Sequence, residues 1–167
     1  MTKRRRRFQP VAIGAVVLAT FALTSVRLGE RDRTEARAIA RLRAISSAEA
    51  SYAAASGGYY DTLECLVRWS CIPDRAVEAP FAAPNLGQGP QGYRLQFHAA
   101  PFHAGASRDR ARISPTAMWR FAVIAVSDSA QWRSFCVDDR QTIYVVSATA
   151  GLVVDDGRCL DTTTPLR

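Results

Sequence analysis

The sequence predicts an α+β protein in which a long N-terminal helix packs on a four-stranded antiparallel sheet with a disulfide-clamped C-terminal loop. An alanine-rich stretch without proline covers residues 34–56, and short segments rich in aromatic and β-branched residues follow residue 92. The first pattern favours a helix and the second favours strands. One helical run followed by a run of strands is typical of the α+β class.

The chain of 167 residues has room for one membrane anchor and one compact domain, because domains usually span roughly 100 to 150 residues. Shifts in composition predict four segments. These are a cytoplasmic basic leader (1–10), a transmembrane helix or uncleaved signal anchor (11–26), a helical stalk (27–56) and a globular domain (57–167).

The N-terminal segments predict the location of the chain. Residues 3–7 are all basic, and residues 11–26 carry no charge before Arg27. Sixteen helical residues extend about 24 Å, and a flanking Phe8 and arginines can cover the remainder of a hydrocarbon core of about 30 Å. Since positive charge stays inside, we expect a single pass through the inner membrane, a cytoplasmic N-terminus and a periplasmic or extracellular domain. A cleaved signal peptide, or a twin-arginine signal at residues 5–8, is the alternative.

The predicted helix has one apolar stripe. Its members are spaced by three or four residues along the chain. They are Ile39, Leu42, Ile45, Glu49 and Tyr52. This spacing places them on one face of a helix. Two glycines after residue 56 predict its end, and the helix is able to continue back into the anchor with a bend at residue 29.

The remaining elements are shorter. A short helix is expected near residues 60–66 within an ordered loop, and residues 100–117 are expected to form a long hairpin loop. Strands of an antiparallel meander are predicted at 93–97, 119–126, 134–137 and 142–146, with a tight turn at 138–141; the β propensity of these segments supports each of them.

The charge distribution argues against nucleic acid as a partner. The net charge of +7 comes from the N-terminal part, because residues 44–167 contain eleven arginines and twelve acids. A globular part with no basic excess offers nothing to a phosphate backbone. No small-molecule substrate and no cofactor are expected either, and the protein is predicted not to be an enzyme.

Four cysteines are predicted to form two disulfides, as an even number does in an oxidising compartment. Three pairings are possible. We favour Cys65 with Cys71 and Cys136 with Cys159, because each closes a local loop. Zinc is the alternative, but five residues separate the first two cysteines, where zinc ligand pairs are separated by two to four.

Three other patterns in the sequence are candidates for chemical sites. Residues 87–92 match GxGxxG, but a loop precedes them and a strand follows, so a turn is predicted instead of a dinucleotide site. His98 and His103 suggest a small hydrolase only as a third hypothesis, because no accompanying catalytic motif is present. Metal sites are not predicted, although weak calcium candidates exist. These candidates are Asp155, Asp156 and Asp161, with Asp138 and Asp139 nearby in sequence.

The chain resembles the type IV pilins and the type II secretion pseudopilins. The resemblance is carried by the order of its segments and by residues 44–52 (AISSAEASY), 58–61 (GYYD) and 134–138 (SFCVD). It implies a non-catalytic structural or protein-interaction protein in the membrane. Its partners would be other pilin-like subunits or an envelope assembly. Some members of that family bind calcium in the C-terminal loop. The resemblance therefore implies Asp155, Asp156 and Asp161 as the calcium candidates of this chain.

The N-terminus departs from the family pattern. With Phe8 as the first mature residue, Arg7 stands where the family has Gly or Ala, and Ala12 stands where it has Glu. Cleavage by a prepilin peptidase is therefore not expected. The principal alternative function is a secreted or periplasmic small-ligand-binding domain that signal peptidase releases.

Overall fold

The computed structural model describes the backbone of residues 11–68, 71, 80–100, 114–146, 154–160 and 164–166. The chain divides into two compact units, Met1–Arg33 and Thr34–Arg167. The second unit contains the sheet and both disulfides. Side chains are described from Gly29 onward, so the anchor predicted at residues 11–26 lies outside the described side chains. Within the part of the chain that is described, no helix is both long and apolar enough to cross a membrane.

Helix α1 (Val11–Ser56) includes the helix predicted at residues 34–56, which belongs to the second unit. Its buried stripe in the second unit follows the predicted spacing, with Leu42 and Ile45 fully buried and Tyr52 1% exposed. The helix ends where two glycines adopt positive φ angles of 85° and 98° at Gly57 and Gly58. Glycine adopts this conformation without the strain of a side chain, which explains the stop.

The predicted antiparallel meander is confirmed. Its four strands are β1 (Tyr93–Ala100), β2 (Arg120–Ser127), β3 (Ser134–Asp138) and β4 (Ile143–Val146). They lie in the order β1-β2-β3-β4, and every pairing is antiparallel. The strand bounds differ from the predicted ones by one to three residues. The largest difference is in β1, which extends to Ala100 because its register with β2 continues to the pair Ala100 and Arg120.

Three two-residue strands and one short helix complete the fold. Helix α2 (Leu63–Val67) lies close to the predicted position. Strands β5 (Val154–Asp155) and β6 (Arg158–Cys159) form a separate ribbon, and β7 (Thr164–Pro165) pairs with β4 as a fifth strand of the main sheet. The sequence did not predict these three strands, because two-residue strands carry no periodicity.

The main core lies between α1 and one face of the sheet. Its largest sheet residues with less than 2% exposure are Phe121 and Phe135, and the helix contributes its apolar stripe. A smaller cluster on the other face includes Ile124, Cys136 and Cys159. Strand β2 is therefore buried on both faces over residues 121–125, which explains why its sequence is a continuous apolar run.

Candidate functional site

Two buried carboxyl groups meet where α1 ends. Asp61 is fully buried, and three groups donate hydrogen bonds to it: the Tyr52 hydroxyl to Oδ2 at 2.7 Å, the Thr116 hydroxyl to Oδ1 at 2.6 Å and the Thr62 backbone N–H to Oδ1 at 2.7 Å. The backbone N–H of Asp61 in turn donates to Glu49 Oε2 at 3.2 Å. The cluster therefore joins the helix, the loop that follows it and the segment before β2.

Burial controls the protonation of this cluster. It raises the pKa of Glu49 from 4.5 to about 8, and the negative charge of Asp61 adds to this effect, while the hydrogen bond from the Asp61 backbone opposes it. Burial also raises the pKa of Tyr52, as does its hydrogen bond to Asp61. Glu49 is consequently mostly protonated, and therefore neutral, at pH 7.

This carboxyl cluster is closed to solvent, although a carboxyl group with a raised pKa is often a sign of a catalytic site. Glu49 and Asp61 are both 0% exposed. Three protein groups donate to Asp61, and Glu49 Oε1 is buried without a hydrogen-bond partner among the described residues. The geometry suits a structural role, in which the cluster connects three segments of the fold, better than acid–base chemistry.

A cleft opens on the other side of the same part of α1. It has a volume of about 440 Å³, within the range of roughly 300 to 1,000 Å³ that is usual for small-ligand pockets. The helix contributes one wall and the β3–β4 corner contributes the other. Its lining consists of Arg43, Ser46, Ser47, Ala50, Ser51, Ala54, Val137, Gln141 and Ile143.

The C-terminal part is held by a disulfide and a second buried carboxylate. The disulfides join Cys65 to Cys71 and Cys136 to Cys159, the pairs favoured from the sequence. Asp138 is fully buried and accepts a hydrogen bond from the Cys159 backbone N–H at 3.1 Å. Arg140 bonds Asp138 Oδ2 at 2.7 Å and the Cys159 carbonyl at 3.0 Å. The ribbon is thus fixed to β3 by a covalent bond and by charge.

The calcium candidates are not brought together as one site in the described residues. Asp156 pairs with Arg120 at 2.8 Å, Asp139 pairs with Arg158 at 3.3 Å, and Asp155 is exposed on β5. Asp161 lies outside the described residues. Across the described ranges, no group of three or more histidine, cysteine or acidic residues is placed to hold a metal ion.

The two other sequence motifs have simpler roles. Residues 87–92 form turns that lead into β1, as predicted. Gly92 has a positive φ of 81°, and a side chain at this position would meet the ring of Trp132. His98 lies on β1, and its Nε2 is buried without a hydrogen-bond partner among the described residues. His103, the other half of the proposed hydrolase pair, lies outside them.

The sequence did not predict the carboxyl cluster or the cleft. Glu49 did give a signal, because it occupies the apolar stripe of α1 where an ionisable residue is unusual. Its partner Asp61 stands twelve residues later, in a loop whose course no local pattern predicts. The cleft depends on small residues of α1 lying opposite a strand corner, which only the tertiary fold determines.

Comparisons with protein-family models, with curated proteins and with solved structures find no match to this chain.

Proposed function

We propose that the chain is a membrane-anchored, extracytoplasmic, pilin-like protein that acts through contacts with other envelope proteins and performs no catalysis. The observation that supports this most is that the charge-free sequence 11–26 precedes, along the chain, the buried helical stripe that packs on the sheet. Such an arrangement suits a helix that presents a compact domain at a membrane surface. In this proposal the membrane, pilin-like subunits or an envelope assembly are the partners.

The two disulfides support the extracytoplasmic location. Disulfides persist in the periplasm or outside the cell, whereas the cytosol keeps thiols reduced. The part of the chain that the structure describes contains no free cysteine. In the carboxyl cluster Tyr52 donates to Asp61, and in the C-terminal clamp the Cys159 backbone N–H donates to Asp138, which suits a structural role for both.

An aromatic surface supports the role in protein contacts. Trp119 is 51% exposed, and its ring lies 6.1 Å from that of Tyr59. Tryptophan and tyrosine are enriched in the energetically important part of protein interfaces. We therefore expect Trp119→Ala to reduce crosslinking to an envelope partner, while Ala44→Ser on the exposed face of α1 leaves it unchanged.

The test is intact mass and N-terminal sequencing of membrane and soluble fractions from a Gram-negative host. The proposal predicts an unprocessed chain in the membrane fraction. Val17→Arg places a charge in the charge-free segment and should release the protein from the membrane, whereas Ala36→Arg, at an exposed position of α1, should not. A wild-type product that is soluble and begins near Val26 would refute the anchor.

The cleft favours a second candidate function, a secreted or periplasmic domain that binds a small ligand. Its volume of about 440 Å³ and its mixed polar and apolar lining are features of ligand sites. The same experiment separates the two candidates, because the second requires removal of the N-terminal segment by signal peptidase.

A further inference from the structure

We propose that the cleft between α1 and the β3–β4 corner binds a small monocarboxylate with a compact apolar body. The cleft is defined by the nine lining residues given above. The proposal goes beyond the role in envelope contacts and does not depend on whether the N-terminal segment is retained, since every lining residue belongs to the second unit.

The first observation is an unsatisfied hydroxyl in the wall of the cleft. Ser46 is only 5% exposed, and its Oγ, which is closed to solvent, has no hydrogen-bond partner among the described residues. A serine within a helix ordinarily donates to the carbonyl one turn earlier, as Ser51 does to the Ser47 carbonyl at 3.0 Å. A buried polar group without a partner costs about 1 to 3 kcal/mol. A ligand oxygen that pairs with Ser46 Oγ, once that side chain turns into the cleft, would remove this cost.

The second observation is the charge of the cleft. Among the described residues, Arg43 is the only ionisable one that lines the cleft, and it is exposed. In the described part of the chain no carboxylate pairs with Arg43, whereas its neighbour Arg41 donates to the Asn85 carbonyl at 3.0 Å. A planar guanidinium matches the two oxygens of a carboxylate. One positive charge balances one carboxylate better than it balances a doubly charged phosphate.

The remaining lining residues define the rest of the ligand. Val137 and Ile143 form an apolar floor on the sheet, and the methyl groups of Ala50 and Ala54 lie on the helix wall. Gln141 brings an amide to the rim from the β3–β4 turn, where its own φ is 60° and its backbone N–H donates to the Asp138 carbonyl at 2.9 Å. A carboxylate at Arg43 would thus be followed by a short apolar group over the floor.

The test uses the full chain in a nonionic detergent, with N-acetyl-leucine as the probe and two-dimensional NMR as the readout. Saturable shifts of the amide signals of Ser46, Ala50 and Ile143 are expected. N-acetyl-leucinamide, which has the same shape without the charge, should bind at least tenfold more weakly, and inorganic phosphate should cause no saturable shift at these residues. Equal binding of the amide, or saturable binding of phosphate, would overturn the carboxylate assignment.

Variants distinguish binding in the cleft from binding elsewhere. Arg43→Gln should weaken binding of N-acetyl-leucine at least tenfold, while Arg37→Gln, an exposed arginine of the same helix outside the cleft, should leave it unchanged. Ser46→Ala should weaken binding severalfold and leave the free protein at least as stable as the wild type, which separates a lost contact from a damaged fold. Absence of saturable binding by the wild-type chain, or equal loss in both arginine variants, would refute the proposal.

Discussion

Replacing Glu49 by glutamine should remove most of a pH dependence that the buried carboxyl cluster imposes on stability. The pKa of Glu49 rises from 4.5 to about 8 because the group is buried and lies beside the charge of Asp61. Between these two pH values the folded protein holds a proton that the unfolded chain has lost. Stability from this group is therefore fully present below about pH 4.5 and declines as the pH rises towards 8.

The size of the effect follows from the two pKa values. A difference between 4.5 and about 8, taken at about 1.4 kcal/mol for each pH unit, amounts to a loss on the order of 5 kcal/mol across the window. Glutamine has nearly the same shape, and its carbonyl oxygen can still accept the hydrogen bond that Asp61 donates to Glu49 Oε2. Glu49→Gln should therefore match the wild type near pH 4.5 and exceed it in stability by several kcal/mol near pH 8.

The assay is urea unfolding, followed by circular dichroism, at half-unit intervals from pH 4.5 to 8.5. The matched control is Glu64→Gln, since Glu64 has an exposed side chain that pairs with Arg68 at the surface. The control should retain the slope of the wild type. If Glu49→Gln keeps that slope too, or if the wild type becomes more stable as the pH rises from 5 to 8, then Glu49 is not a neutral buried acid and the reasoning fails.

Three further changes test the contacts that hold the second unit together. Replacing both Cys136 and Cys159 by alanine opens a loop of 23 residues and should cost about 3 kcal/mol of unfolding free energy; an unchanged urea midpoint would contradict this. Glu35→Gln weakens the ion pair between the buried Glu35 and Arg133. This change should cost about 1 to 3 kcal/mol of unfolding free energy, measured by urea unfolding. Gly92→Ala should destabilise by about 1 to 3 kcal/mol, and more than Gly58→Ala does, because both glycines have positive φ but only an added Cβ at Gly92 meets a tryptophan ring; equal thermal melting temperatures would show that the ring yields.

Much of the fold was predictable because its signals are local. The stripe of α1 has helical spacing, the glycines after Ser56 provide the stop, and the four main strands have high β propensity. The disulfide pairing followed from loop closure. The short strands β5, β6 and β7 were missed because their backbone pairing depends on the Cys136–Cys159 bond and on the edge of β4, not on their own residues.

The candidate site was less predictable because its parts are distant in sequence. Thr116 reaches Asp61 across 55 residues, and the cleft combines Arg43 with Gln141. The residues that sequence patterns did single out have other roles. Asp138 and Asp156 are bound by arginines, and residues 87–92 form turns. Acidic residues in loops are common metal ligands. In this chain, however, Asp138 and Asp156 pair with guanidinium groups of its own arginines.

The buried acids are less suited to ligand binding than groups near the surface of this protein. Glu35, Asp61 and Asp138 each accept hydrogen bonds from a backbone N–H group and from a side chain, and each connects its own segment to another part of the fold. A charged group that already accepts several internal hydrogen bonds would have to give them up before it could bind a ligand, and each loss costs about 1 to 3 kcal/mol. Ser46 and Arg43 face no such cost, because neither has a bond to lose within the described residues. On this physical ground the cleft is better suited to bind a ligand than Glu35, Asp61 and Asp138 are.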